Sequence, residues 1–179
     1  MYVYTSLLSG NFVWTADPVL AYYGQWNYAL IHYGAYWQLF TAMFVHVGIF
    51  HLFSNMLFLF IFGLRAEELF STTEYYLIYF ASGLAGNVLS LVAGPDMLSA
   101  GASGAIFGVF GANVIFLRRS VGQPIFISLM YAFMFFILSS MSPNINLFAH
   151  FGGLVVGLGL GYVLAGTKRF VRVRTSYAV

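Results

Sequence analysis

Residues 147–165 read LFAHFGGLVVGLGLGYVLA, nineteen positions without an Asp, Glu, Lys or Arg. At about 1.5 Å of rise per residue, such a run approaches the roughly 20 residues that a helix needs to cross a bilayer core. Its one ionisable side chain is His150, and glycines recur at 152, 153 and 157. Working outward, comparable apolar runs lie at 50–64, 75–93, 103–117 and 125–141. The third is short and Gly-rich, which fits a helix surrounded by protein rather than lipid. The whole chain agrees: 179 residues are 61% hydrophobic and 7% charged, against roughly 25% charged in a soluble domain, and the mean hydropathy is +0.86. These numbers describe an all-α polytopic membrane protein.

The same arithmetic excludes other classes. A net charge of +2 is too small for a nucleic-acid-binding domain. The apolar content is too high for disorder. The chain has no cysteine, so disulfides, thiolate metal sites and a cysteine nucleophile are excluded.

Orientation follows from the cations. Arg65 closes the 50–64 run, Arg118 and Arg119 close the 103–117 run, and Lys168, Arg169, Arg172 and Arg174 follow the last. These are alternate crossings in one direction, so all seven cations fall on one side, which the positive-inside rule makes cytoplasmic. The 94–102 loop around Asp96 and the 142–146 loop then face outward. Tyr2–Val13 is a short apolar start. It counts as a first crossing if both termini are cytoplasmic, or lies on the surface if the N-terminus is outside. Residues 14–46 carry Trp14, Tyr22, Tyr23, Trp26, Tyr28, Tyr33, Tyr36 and Trp37. Such amphipathic rings favour the interface, so this stretch is expected as a loop partly embedded in the membrane surface. One domain over 1–179 is expected, with a core at about 20–165 and a basic tail at 166–179.

No Asp or Glu lies in the middle of any span, which removes paired-carboxylate catalysis, and no H-E-x-x-H motif is present. What remains at membrane depth is Ser, His, Asn and Gly. Ser103, between Gly101 and Gly104 where a loop becomes a helix, is expected to be exposed with backbone N–H groups pointing the same way as its Oγ. That supplies a nucleophile and part of an oxyanion hole, although a capping Ser among packing glycines reads the same way. His150, an ionisable residue inside a span, is a candidate general base for Ser103. A hydrogen-bonded core histidine or a haem ligand are the alternatives. His51 and Asn55 share a helix face at i, i+4 and are candidate oxyanion donors, with His46 about a turn earlier on the same helix. Interhelical hydrogen bonding by these groups is the plainer reading. Phe107, one turn after Ser103, is placed to lie against His150 or in the core, and His32 is read as interfacial.

Together, His46, His51-x-x-x-Asn55, Gly101-x-Ser103-Gly104-x-x-x-Gly108 and Ala149-His150-x-x-Gly153-x-x-x-Gly157 resemble the rhomboid family of intramembrane serine proteases in order and spacing. Trp37, Thr41 and Glu67 add to the resemblance, which covers roughly residues 20–165. It implies a six-helix bundle, against which the first span at Tyr2–Val13 is short, and Ser103 at the head of the fourth helix in a water-filled cavity. It implies Ser103 as nucleophile and His150 as general base. His51, Asn55 and the Ser103 backbone N–H would hold the oxyanion, with His46, Phe107, Gly101 and Gly104 supporting. The fifth span and the 142–146 loop would gate substrate entry. No cofactor or metal is implied; the partners are transmembrane protein substrates and the lipid bilayer, with no nucleic acid. Two departures stand out: Trp37-Gln38 replaces the family's Trp-Arg, and Ser71 stands where a glycine often follows the acidic turn.

The expected function is therefore a serine endopeptidase of the cell membrane, multi-pass with both termini cytoplasmic. It would cleave transmembrane or membrane-proximal segments near their outer end. The alternatives are an inactive rhomboid-like protein that binds transmembrane helices, a haem protein ligated by His51 and His150, and a small channel or carrier.

Overall fold

The computed structural model describes residues 1–122 and 146–167, with Pro124, Phe126, Met130 and Met134 between them. Apart from Phe126, Met130 and Met134, the expected 125–141 span falls outside the described residues, as do most of the 142–146 loop and the basic tail from Lys168. Three described helices are long and apolar enough to cross a membrane: α5 (Ile49–Leu69), α6 (Thr72–Leu89), continued by a 3-10 turn Ser90–Ala93, and α8 (Leu147–Thr167). A fourth, α7 (Ser103–Val121), stands among them, and residues 102–113 are all buried. A Gly-rich helix sheathed by other helices is what its composition predicts.

Glycine on both partners is what lets α7 and α8 touch. A methyl group added at Gly157 would overlap the Gly108 carbonyl, and one at Gly153 would overlap that of Gly104. On its other side α7 packs against α5. Phe62 meets Phe110 with ring centroids 5.0 Å apart, Phe70 meets Phe116 at 5.0 Å, and buried Asn113 donates from Nδ2 to the Phe62 carbonyl at 2.8 Å. These pairs set the C-terminal ends of α5 and α7 at the same end of the bundle, so Arg65, Arg118 and Arg119 share a side. There Arg119 donates to the Tyr162 carbonyl at 2.6 Å and lies 3.9 Å over the Tyr162 ring, tying α7 to α8. Ser71 opens α6 with a reciprocal cap: its Oγ accepts from the Glu74 N–H, and the Glu74 carboxylate accepts from the Ser71 N–H. The serine at this departure from the family pattern thus caps the next helix.

The stretch before α5 is folded, contrary to the loop expected over 14–46. After α1 (Tyr2–Ser9) come α2 (Asp17–Tyr23), strand β1 (Gln25–Trp26), α3 (Asn27–Tyr33), α4 (Gln38–Thr41) and a 3-10 turn Ala42–Phe44. The eight residues of α1 extend about 12 Å, well short of a roughly 30 Å hydrocarbon core. The physical reason for the order is a set of buried amides that satisfy backbone groups. Gln38, 1% exposed, accepts from the Trp26 N–H at 2.9 Å and donates to the Ala21 carbonyl at 2.7 Å. Gln25 donates to Asn27 Oδ1 and to the Asn87 carbonyl of α6, both at 2.8 Å. Asn27 in turn donates to the Ser90 and Gly94 carbonyls, both at 2.8 Å. β1 also pairs antiparallel with β2 (Leu98–Ser99), Gln25 opposite Ser99 and Trp26 opposite Leu98. This pairing holds the chain that leads into α7.

Candidate active site

Ser103 is the first residue of α7. The N-cap position is Ala102, which has no side-chain acceptor to offer. The first helical amide hydrogen bond is Ile106 N–H to the Ala102 carbonyl, 3.0 Å, so the N–H groups of residues 103–105 precede the ladder. A helix that begins on Ala forgoes a cap worth about 1 kcal/mol and leaves those donors available for a developing negative charge. Ser103 itself is 9% exposed. It is more buried than the sequence suggested, because Ala149, at the head of α8, lies against Gly104.

His150 lies one turn into α8, and Asn146 sets the start of that helix. Its Oδ1 accepts from the Ala149 N–H at 3.1 Å, and its carbonyl accepts from the His150 N–H at 3.3 Å. Asn146 Nδ2 donates to Ser90 Oγ and, at 3.2 Å, to Ser99 Oγ. The head of α8 is therefore pinned to the end of α6 and to β2. From there His150 Nε2 reaches Ser103 Oγ at 2.8 Å. The ring of Phe107 lies against the imidazole, centroids 4.6 Å apart at 31°. The pairing of Ser103, His150 and Phe107 expected from the sequence is what the fold assembles. Asn146, which supports it, is not among the residues that sequence reasoning singles out. Its signal is an Asn directly before an apolar helical run, a common N-cap.

A cavity of about 230 Å³ opens beside the pair, lined by Ser103, His150, His51, Gly101 and Gly104 together with residues from the Trp14–Leu20 stretch. Gly101 has φ of +133°, and its N–H donates to the Ala42 carbonyl at 2.9 Å. A Cβ there would stand 2.7 Å from His51 Cε1 and 3.0 Å from Nε2. Only glycine serves at a position where both the backbone angle and the space exclude a side chain. His51 thus presents its ring edge to the loop that delivers Ser103.

His51 and Asn55 both stand toward Gly101, as i, i+4 spacing on one helix face predicts, whereas His46 sits differently from expectation. Asn55, 2% exposed, is a turn farther into α5, with Nδ2 donating to the His51 carbonyl at 2.9 Å and standing 3.7 Å from where a Gly101 Cβ would be. His46 precedes α5 rather than sharing its helix, because Gly48 is the N-cap. It is buried behind His51, ring centroids 5.4 Å apart. Burial, and secondarily the neighbouring His51, pushes the His46 pKa down to about 3, so His46 is neutral at physiological pH. His32 is exposed and packs on Tyr28 in the aromatic stretch. Among the described residues, no group of three or more His, Asp or Glu side chains converges as a metal site would need.

A family model described as the Rhomboid domain matches residues 33–167, well over half of the chain. The chain belongs to the rhomboid family. YdcA, a rhomboid relative in Bacillus subtilis (strain 168), is 32% identical over 173 residues, covering 94% of this chain and 84% of its own length. Rhomboid protease GluP of the same organism is 35% identical over 150 residues, 80% of this chain and 29% of that protein. RHOMBOID-like protein 6, mitochondrial, of Arabidopsis thaliana is 37% identical over 134 residues, 72% of this chain and 43% of that protein. The chain spans less than half the length of the plant relatives it matches first. The fold, the family and the membrane-crossing helices together make this rhomboid a multi-pass membrane protein of a protease family.

Proposed function

We propose that this rhomboid is an intramembrane serine endopeptidase in which Ser103 and His150 form the catalytic dyad. The observation that carries the reading is the 2.8 Å contact between His150 Nε2 and Ser103 Oγ at a cavity and at a helix start with no side-chain cap. The Nε2 lone pair takes the Ser103 proton as Oγ forms a bond to the scissile carbonyl carbon. The developing oxyanion is held by the amides at the head of α7 and by His51 across Gly101. Collapse breaks the C–N bond, and His150 returns its proton to the leaving amine. Water, activated by the same imidazole, then releases the acyl group from Ser103. Among the described residues His150 Nδ1 has no partner, so Phe107 and the Asn146 cap take over the orienting role that a carboxylate has in a triad.

The substrates of this reading are transmembrane or membrane-proximal segments cleaved near their outer end, since Ser103 lies at the end of α7 opposite Arg118 and Arg119. The membrane is the cell membrane, with both termini cytoplasmic and one domain over the chain. A helical substrate hides its carbonyls in i→i−4 hydrogen bonds, so cleavage requires local unwinding. Substrates with Gly, Pro or polar residues near that end are the preferred class, and helix-stabilising substitutions there should slow cleavage. The primary test is labelling of detergent-purified protein with a fluorophosphonate probe. Wild type should label, and Ser103→Ala and His150→Ala should not. A folded, monodisperse wild type that fails to label, and fails to cleave a Gly-rich transmembrane peptide, would instead favour the helix-binding role.

A further inference from the structure

Proteolysis by Ser103 and His150 requires no carboxylate at the mouth of the cavity, yet Asp17 lines the same cavity as both residues. Asp17 is exposed, and among the described residues no hydrogen bond or ion pair engages its carboxylate. Its position is set by the chain before it. Trp14 bridges to Gly48, the Thr15 N–H donates to the Val47 carbonyl at 3.0 Å, and Thr15 Oγ1 donates to the His46 carbonyl at 2.7 Å. The indole of Trp14 lies on Gly48, where a Cβ would meet it at 2.8 Å, and it lines the same cavity as Asp17. A carboxylate and an aromatic ring lining one cavity are the two groups that attract an organic cation.

No Lys or Arg competes for this carboxylate among the described residues. The chain has no Lys or Arg before Arg65 and none from 66 to 117, so the end of the bundle that holds the cavity carries Asp17 and Asp96 with no Lys or Arg among the described residues, although the Met1 amine is near enough to act on His46. An opening of about 230 Å³ is roughly 6 Å across if compact, so an extended chain at roughly 3.3 Å per residue places about two residues in it and the next at its edge. The plainer role for Asp17, favouring the N-terminus of α2, accounts for a small effect on stability but for no discrimination among substrates.

We propose that Asp17, with Trp14 lining the same cavity, selects substrates carrying a Lys or Arg within about three residues of the scissile bond. The proposal rests on the proteolytic reading for its substrate, but its test does not depend on turnover. In the Ser103→Ala protein, binding is measured for synthetic transmembrane peptides that end outward in an Ala- and Gly-rich stretch. Each carries either Lys or Gln at one of three consecutive positions there. The protein with Asp17 should bind the Lys peptide about fivefold more tightly at one of these positions, an advantage that shrinks at 0.5 M salt. Asp17→Asn should bind the two peptides alike, and Asp17→Glu, which keeps the charge, should restore the preference. A Lys-to-Gln affinity ratio that is the same with Asp17 as in Asp17→Asn, at all three positions, would overturn the proposal. Failure of the proteolytic reading looks different: wild type would not label with fluorophosphonate while the Lys preference persisted.

Discussion

The imidazole of His150 is held from two sides, by the Ser103 hydroxyl at Nε2 and by the Phe107 ring on its face. Phe107→Leu keeps the buried apolar bulk but removes the flat surface that fixes the ring plane. We expect fluorophosphonate labelling to slow by about tenfold while stability falls by less than about 1.5 kcal/mol. A loss of labelling in proportion to unfolding would mean that Phe107 is core and nothing more. The two candidate oxyanion donors on α5 are expected to separate in the same assay. His51 turns its ring to the cavity with both edge atoms within 3.0 Å of the Gly101 Cβ position, whereas Asn55 uses one of its two amide N–H groups on the His51 carbonyl and stands farther off, at 3.7 Å. His51→Ala should therefore cost on the order of 10²–10³ in rate, as a lone oxyanion donor does, and Asn55→Ala markedly less. The reverse order would show that α5 shifts to present Asn55 when substrate binds. Sequence could place both residues on one helix face, because i, i+4 spacing is local. It could not tell which one stands closer to the loop before Ser103, because that depends on where Gly101 crosses α5.

At the scale of elements, the contact between α7 and α8 brings Ser103 to His150, and glycine makes it close. Gly157 faces the Gly108 carbonyl with no room for a methyl group, whereas a methyl group at Gly159, two residues on, would meet nothing within 4 Å. Gly157→Ala should lower stability by roughly 1–3 kcal/mol through overpacking and reduce Ser103 labelling. Gly159→Ala should be neutral or stabilising by up to about 1 kcal/mol, since alanine favours helix. Thermal unfolding of both variants in one detergent makes the comparison; equal effects would contradict the packing described. The spacing of glycines around Ser103 and His150 made this contact legible from the sequence. The folded stretch before α5 was not legible, because Gln25, Asn27 and Gln38 act through bonds to backbone carbonyls elsewhere, those of Asn87 and Ser90 among them. An amide that caps a distant chain end looks in sequence like any loop amide. The same holds for Asn113, whose partner on α5 is Phe62.

At the scale of the whole molecule, the charged residues leave little through which pH can act near neutrality, so a buried histidine stands out. His46 sits at the junction of the N-terminal stretch and α5, its carbonyl holding Thr15 and its ring beside His51, with its pKa pushed down to about 3 by burial first and His51 second. The unfolded chain binds a proton at this histidine near pH 6.5, and the folded chain does not until about pH 3. Between those values the unfolded state carries the extra proton, so stability falls as pH falls, by about 1.4 kcal/mol per pH unit for one such group. Above about pH 6.5 both states are neutral and this contribution is flat. Melting temperature in detergent should therefore drop from about pH 7.5 to about pH 5 in wild type. In His46→Gln, which removes the titration and keeps a polar side chain of similar reach, the drop should be smaller. Parallel curves for the two proteins would show that His46 meets solvent in the folded state, and that the junction it occupies is more open than its burial indicates.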